Sequence, residues 1–339
     1  MPTVLESLNA ALHRAFAADE RVLLVGEDVL DPYGGAFKVT RGLSTAFPGR
    51  VLTTPISEAG IIGVAVGMAL RGYRPVVEIM FGDFITLIAD QIINHAAKFR
   101  WMYNDQVRVP LVVRTPMGGR RGYGPTHSQT LEKLFLGVPG LRVVSPAPVG
   151  DPGSLLEHII LESQDPVLFV ENKLLYLLQV NGGLEDMDLQ TIPGKNTKER
   201  EQGRSPVSCP LYRLTVKGAP KPVLTLTAYG YMAELARQAM LKLAYEHEIF
   251  TELIIPTDLT AFDLRLSTSR LLVIEEGTLT LGWGAEIVAR AVEELGTGLK
   301  IARRVAARDL PVPASGVLEN LVLPGVDDII QAAQTAVEH

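Results

Sequence analysis

The stretch "TTPISEAGIIGVAVGMALRGYRPVVEI", residues 53–79, decides the fold. Its first part is apolar and laced with glycine, and it opens on the polar pair Ser57 and Glu58, as a helix does at its start. Its last part, "RPVVEI", is a short apolar run flanked by turn residues, the pattern of a strand buried in a parallel sheet. Upstream, "RVLLVGED" at 21–28 reads as another such strand. Strand, helix, strand is the unit of an α/β fold. The same alternation continues through "VPLVVRT", "LRVVSP" and "DPVLFV", separated by the helical patterns "DFITLIADQIINHAAKFRWMY" and "DPGSLLEHIILES". The N-terminal part is therefore expected to be a doubly wound α/β sheet.

Length supports a second domain. A chain of 339 residues exceeds one ordinary core, and domains of roughly 150 residues each are the default. From residue 179 the apolar signal stops, and "QVNGGLEDMDLQTIPGKNTKEREQGRSPVSCP" runs polar and charged. It reads as an interdomain linker. The alternation resumes with "PVLTLTAYG", "FTELIIPTDL", "RLLVIEEG" and "LKIARRVAA", with helical patterns between them. The expected division is 1–178, a linker over 179–221, and a second, smaller α/β domain over 222–339.

Charge and cysteine content exclude several classes. A net charge of −6, spread over the chain, argues against a nucleic-acid surface. No uncharged apolar run reaches the ~18 residues a membrane span needs. The start, "MPTVLESLNAALHRAFAADERV", has the spacing of an amphipathic helix and lacks the layout of a secretion signal, so the mature chain is expected to begin there. The single cysteine, Cys209, leaves no intrachain disulfide or cysteine-cluster metal site. A reducing, cytoplasmic setting is expected.

The familiar catalytic signatures are missing: there is no G-x-x-x-x-G-K-[ST], H-E-x-x-H or G-x-S-x-G, and no G-x-G-x-x-G after a strand. What remains is a set of residues at strand ends and in loops, where α/β folds place their sites. They are Glu58, the aromatics of "MFGDF" and the loop "MGGRRGYGPTHSQ". Each also has a plainer reading. Glu58 behind Ser57 suits a first helical turn, whose dipole favours an acidic residue by ~0.3–1 kcal/mol. Phe81 and Phe84 suit a core, and His127 suits a surface loop.

In order along the chain, "VLLVGEDV", "YGGAFKVTRGL", "TTPISEAGIIGVAVGMAL", "MFGDFITLIADQIINHAAKFR", "PLVVRTPMGG", "THSQTLEKLF", "DPVLFVENKLLY" and "EEGTLTLGWGAEIVARAVE" resemble one family. It is the beta subunit of the thiamine-diphosphate-dependent decarboxylase component of 2-oxo acid dehydrogenases, in the transketolase-like superfamily. The resemblance implies an N-terminal pyrimidine-binding domain and a C-terminal transketolase-type domain. It implies thiamine diphosphate as cofactor, with Glu58 as the carboxylate that hydrogen-bonds the aminopyrimidine and drives its tautomerisation. Ile61, Ile62 and Val64 would supply a low-polarity surround that suits proton sharing. Ile56, Phe81 and Phe84 would contact the cofactor, Phe81 stacking on the pyrimidine; Phe84 stands where many relatives have tyrosine. His127, ahead of Ser-Gln, would orient substrate or pass protons near the reacting carbon.

The diphosphate end of the site is expected elsewhere. Family enzymes hold it through Mg2+ with a G-D-G motif and a later Asn pair, and neither is present. An alpha subunit would bring that half in an α₂β₂ heterotetramer, the chain acting only with that partner. The resemblance further implies a potassium ion (K+) near Ile160, Ser163 and Asp165. The expected activity is that of an oxidoreductase subunit that decarboxylates a small 2-oxo acid and passes the acyl group to a lipoyl acyltransferase. Two alternatives stand beside it: a thiamine-dependent carboligase of acyloin type, and a non-catalytic stabilising subunit. Retention of Glu58, Phe81 and His127 weighs against the latter.

Overall fold

A computed structural model describes residues 1–194 and 208–338. The first sheet is formed by β1 (Val22–Gly26), β2 (Val51–Thr53), β3 (Arg74–Glu78), β4 (Val112–Met117), β5 (Arg142–Val144) and β6 (Val167–Asn172). Its order is β2-β1-β3-β4-β6-β5, and every pairing is parallel. The near-continuous Val, Leu and Ile runs are explained by helices on both faces. On one face α1 (Val4–Ala18) packs with α5 (Pro152–Glu162) over Leu8, Leu24, Val76 and Phe169. On the other lies α3 (Glu58–Leu70), which buries Ile61, Ile62, Ala65 and Val66. Between these, α2 (Leu43–Ala46) is a single turn.

The helix expected over 83–103 is broken into three pieces: a 3₁₀ segment Gly82–Ile88, a π segment Gln91–Ala96 and α4 (Ala97–Met102). Its start lies close against β4, where a β-carbon on Gly82 would fall 2.3 Å from Met117 Cγ. Such departures from α geometry recur next to functional sites.

The second sheet corrects the linker expectation. Within 179–221, Met187–Ile192 forms β7 and Leu211–Val216 forms β8, an antiparallel pair that continues onto β10 (Thr251–Pro256). Residues 195–207 of that stretch lie outside the described residues. With β9 (Leu224–Ala228), β11 (Arg270–Thr278) and β12 (Ile301–Ala307) the order is β12-β11-β9-β10-β8-β7. The sheet is thus mixed, parallel over β12, β11, β9 and β10 only. Helices α6 (Gly230–His247) and α9 (Val326–Glu338) cover one face, and α7 (Trp283–Leu295) covers the other. A short α8 (Gly316–Val322) precedes α9. Trp283, Ile287, Leu271 and Val273 of this domain share one core with Ile61, Ile62 and Met117 of the first. Among the described residues no helix is long and apolar enough to cross a membrane.

Candidate active site

In a doubly wound sheet the ligand crevice lies beyond the carboxyl ends of the strands, where strand order reverses. Here the chain reverses between β1 and β3. The segments leaving that edge carry Glu27 after β1, Glu58 after β2, Phe81 and Phe84 after β3, His127 after β4, and Lys173 after β6.

Glu58 is the first residue of α3 and is only 8% exposed. Ser57 occupies the cap position without a side-chain capping hydrogen bond. Among the described residues, no hydrogen bond or ion pair reaches the Glu58 carboxylate. What lies near it is a second carboxylate, buried Glu27, whose carboxyl is raised by burial and then by the Glu58 charge. A buried acid without a partner is costly unless something supplies a donor. The arrangement fits a ligand that brings a hydrogen-bond donor to Glu58.

The surround of Glu58 is partly as expected. Ile61 and Ile62 are buried beside it in sequence, whereas Val64 lies 57% exposed on another side of the helix. Helical periodicity separates them, so Val64 does not line a pocket with Ile61 and Ile62. Ile56 is 83% exposed, an apolar side chain offered outward from this edge.

Phe81, Phe84 and His127 come together. The Phe81 and His127 ring centroids are 4.8 Å apart, those of Phe84 and His127 5.4 Å, and those of Phe81 and Phe84 6.0 Å, all edge to face. Such pairs add packing specificity beyond area burial. Phe37, from the loop after β1, and Tyr123 complete the ring of aromatics around Phe81 at 5.6 and 6.0 Å. The imidazole Nδ1 of His127 is 3.1 Å from Thr126 Oγ1.

Two residues went unread in the sequence. Glu27, in "VGED", reads in the sequence only as part of a strand. Lys173, in "FVENKLLY", is 1% exposed, lies 5.1 Å from the Phe81 centroid and donates a hydrogen bond to the His127 carbonyl. Burial lowers its ammonium to about 8, a shift that the Asp83 and Glu276 carboxylates oppose. Asp83 in turn accepts hydrogen bonds from Gln129, at 3.2 Å from the backbone and 2.8 Å from the side chain. The signal available was position: a charged residue just past the end of a buried strand. Beneath them, buried Arg114 joins Glu78 at 2.9 Å and Glu171 at 2.7 Å, tying β3, β4 and β6 together.

The oxygens expected around potassium are engaged by guanidinium groups. Arg74, itself buried, donates to the carbonyls of Ile160 and Ser163, each at 2.6 Å. Arg100 donates to both Asp165 carboxylate oxygens at 3.1 and 2.9 Å. Ser163 Oγ donates to the Asp165 carbonyl at 2.8 Å. This set does not fit a potassium ion, because cationic side chains already fill the role.

The transketolase pyrimidine-binding domain family matches residues 1–179, and the transketolase C-terminal domain family matches 215–329. The pyruvate dehydrogenase E1 component subunit beta-2, mitochondrial, of Oryza sativa subsp. japonica is 39% identical over 343 aligned residues, covering 98% of this chain and 86% of that protein. The acetoin:2,6-dichlorophenolindophenol oxidoreductase subunit beta of Bacillus subtilis is 35% identical, covering 96% of this chain and 94% of that protein. The 3-methyl-2-oxobutanoate dehydrogenase subunit beta of Mycobacterium tuberculosis is 34% identical, covering 98% and 91%. Two transketolase-type domains in one order, and identity at this level over nearly the whole length, place the chain in the family of 2-oxo acid dehydrogenase beta subunits.

Proposed function

We propose that this chain forms the pyrimidine-side half of a thiamine diphosphate site in a 2-oxo acid dehydrogenase and works with an alpha subunit. The observation that carries the reading is Glu58: a buried carboxylate at the switch point of the sheet with no donor among the described residues. Once protonated or in its imino form, the ring nitrogen of the aminopyrimidine is the donor it lacks, and a carboxylate in a poorly solvated setting holds such a shared proton well. Bound thiamine diphosphate supplies the acidic thiazolium carbon that adds to a 2-oxo acid and accepts the electrons freed with carbon dioxide. Phe81, with Phe84 at 6.0 Å, offers apolar contact area, and exposed Ile56 adds apolar surface after β2. His127 is held at the Phe81 ring with its imidazole half-buried, where it can orient a substrate oxygen or carry a proton to an acceptor.

The diphosphate and its Mg2+ fall to the alpha subunit in a heterotetramer. Exposed Ile56 and Val64, on either side of Glu58 in sequence, are apolar surface that such a partner would cover. Acyl transfer to a lipoyl acyltransferase is the expected second half-reaction. A second reading, acyloin chemistry without a lipoyl partner, is favoured by one observation, the 35% identity to the acetoin oxidoreductase subunit. Purified alpha/beta complex should consume a 2-oxo acid such as pyruvate with reductive acylation of a lipoyl domain. Turnover of acetoin with a dye, and none of 2-oxo acids with lipoyl domain, would favour the second reading instead.

A further inference from the structure

We infer that Glu276 and Glu319, two buried carboxylates of the C-terminal domain, are positioning residues that set the loop carrying His127; the inference rests on the role proposed for that histidine. The loop leaves β4 at Gly118, whose amide donates to the Gln129 carbonyl at 3.3 Å and so closes its base. Its near arm is held from outside. Glu276 accepts from the Gly119 amide at 2.6 Å, while its other oxygen accepts from Asn172 Nδ2 at 3.2 Å. Glu319, on α8 and 2% exposed, accepts from the amides of Arg120 and Gly122 at 3.0 and 3.2 Å. Three successive anchor points on the loop are thus amide-to-carboxylate hydrogen bonds, the stronger, charge-assisted kind.

The clamp holds the backbone in a conformation it would not choose alone. Arg120 sits at φ +65°, a left-handed conformation that costs an L side chain, and its guanidinium donates to the Pro324 carbonyl just past α8. Gly119 passes so close to α8 that a β-carbon there would lie 2.5 Å from Leu323 Cδ1. The far arm follows from the near arm: Tyr123 meets Phe81 edge to face, and the Gly124 carbonyl accepts from the His127 amide at 3.3 Å. Displacing the clamp would move the imidazole relative to Phe81, and misplacing a reacting group by about 1 Å can cost ~10²-fold in rate. The second domain therefore orients the histidine of the first.

The test is a double-mutant cycle in the alpha/beta complex loaded with thiamine diphosphate and Mg2+. Glu319→Ala should lower kcat by ~10–10², with little change in the rate of thiazolium proton exchange, which answers to Glu58. Glu319→Gln, which keeps an acceptor oxygen, should recover much of that loss. In a His127→Ala background, Glu319→Ala should add almost no further loss, since both act on one group. Amide deuterium uptake over residues 118–127, measured without cofactor, should rise in Glu319→Ala. If the alanine variant does not fold, Gly119→Ala, which pushes the loop off Leu323 and leaves both carboxylates in place, should give the same split between turnover and exchange. Losses that multiply in the double variant, or exchange and turnover falling together, would overturn the inference. Full turnover in His127→Ala alone would instead sink the reading on which it rests.

Discussion

His127 owes its place to contacts from distant parts of the chain. Phe81 and Phe84 flank its ring, and Lys173 holds its carbonyl from 46 residues away. Neither contact changes the fold of the sheet, so His127→Ala should leave the melting temperature and cofactor affinity close to unmutated values. Steady-state turnover should fall by ~10²–10⁴, the usual loss for an acid–base group. Unchanged turnover would return His127 to the surface-loop reading. At this scale the sequence was readable where chemistry is local. Glu58 stands out because Ser-Glu opens a helix that is otherwise apolar, and Phe81 and Phe84 because they are spaced within one short loop. Glu27 and Lys173 were not readable, because a charge looks solvated until the fold shows what buries it. Arg74 shows the same limit in reverse: nothing local says that its guanidinium meets carbonyls 86 and 89 residues later.

Buried charge stands at the carboxyl end of β11, beside the loop that carries His127. This end presents Glu275 and Glu276, 0% and 5% exposed. Glu275 accepts from the Gly284 amide at 3.0 Å, yet its second oxygen has no hydrogen-bond partner among the described residues. Burial, and then the neighbouring Glu132 carboxylate, push it up to about 8 from an ordinary 4.5. The folded state thus holds a proton that the unfolded chain has released between those two values. The stability tied to that proton is fully present below about pH 4.5 and is lost as pH rises through about 8. Glu275→Gln keeps the shape and the acceptor for Gly284 but has no proton to lose. It should raise the melting temperature at pH 8 more than at pH 5; an equal shift at both would refute the assignment. Element patterns also explain the misread linker. All but the ends of β7 is exposed, from Asp188 through Thr191, so an edge strand of that kind carries almost no apolar signal. The parallel strands, buried on both faces, were legible from composition alone.

Across the whole molecule, the two sheets are joined through one apolar core, and a second layer of polar contacts crosses from the C-terminal domain to the His127 loop. The order of the domains was legible because α/β alternation stops and restarts. Their coupling was not, since Glu276 and Glu319 lie 157 and 199 residues from the amides they hold. Among the described residues, Glu58 has no hydrogen-bond or ion-pair partner. We propose that the pyrimidine ring of thiamine diphosphate fills that place, which makes Glu58 a catalytic carboxylate and not a helix-capping one. A first-turn charge would contribute at most ~1 kcal/mol and show itself only in melting temperature. A carboxylate that shares a proton with the ring cannot be replaced by an amide of the same shape. The direct measurement is exchange of the thiazolium proton with solvent deuterium, in alpha/beta complex carrying Glu58→Gln with saturating cofactor and Mg2+. Exchange slowed by orders of magnitude, in a complex that folds and assembles normally, is the predicted result; exchange at the unmutated rate would contradict it.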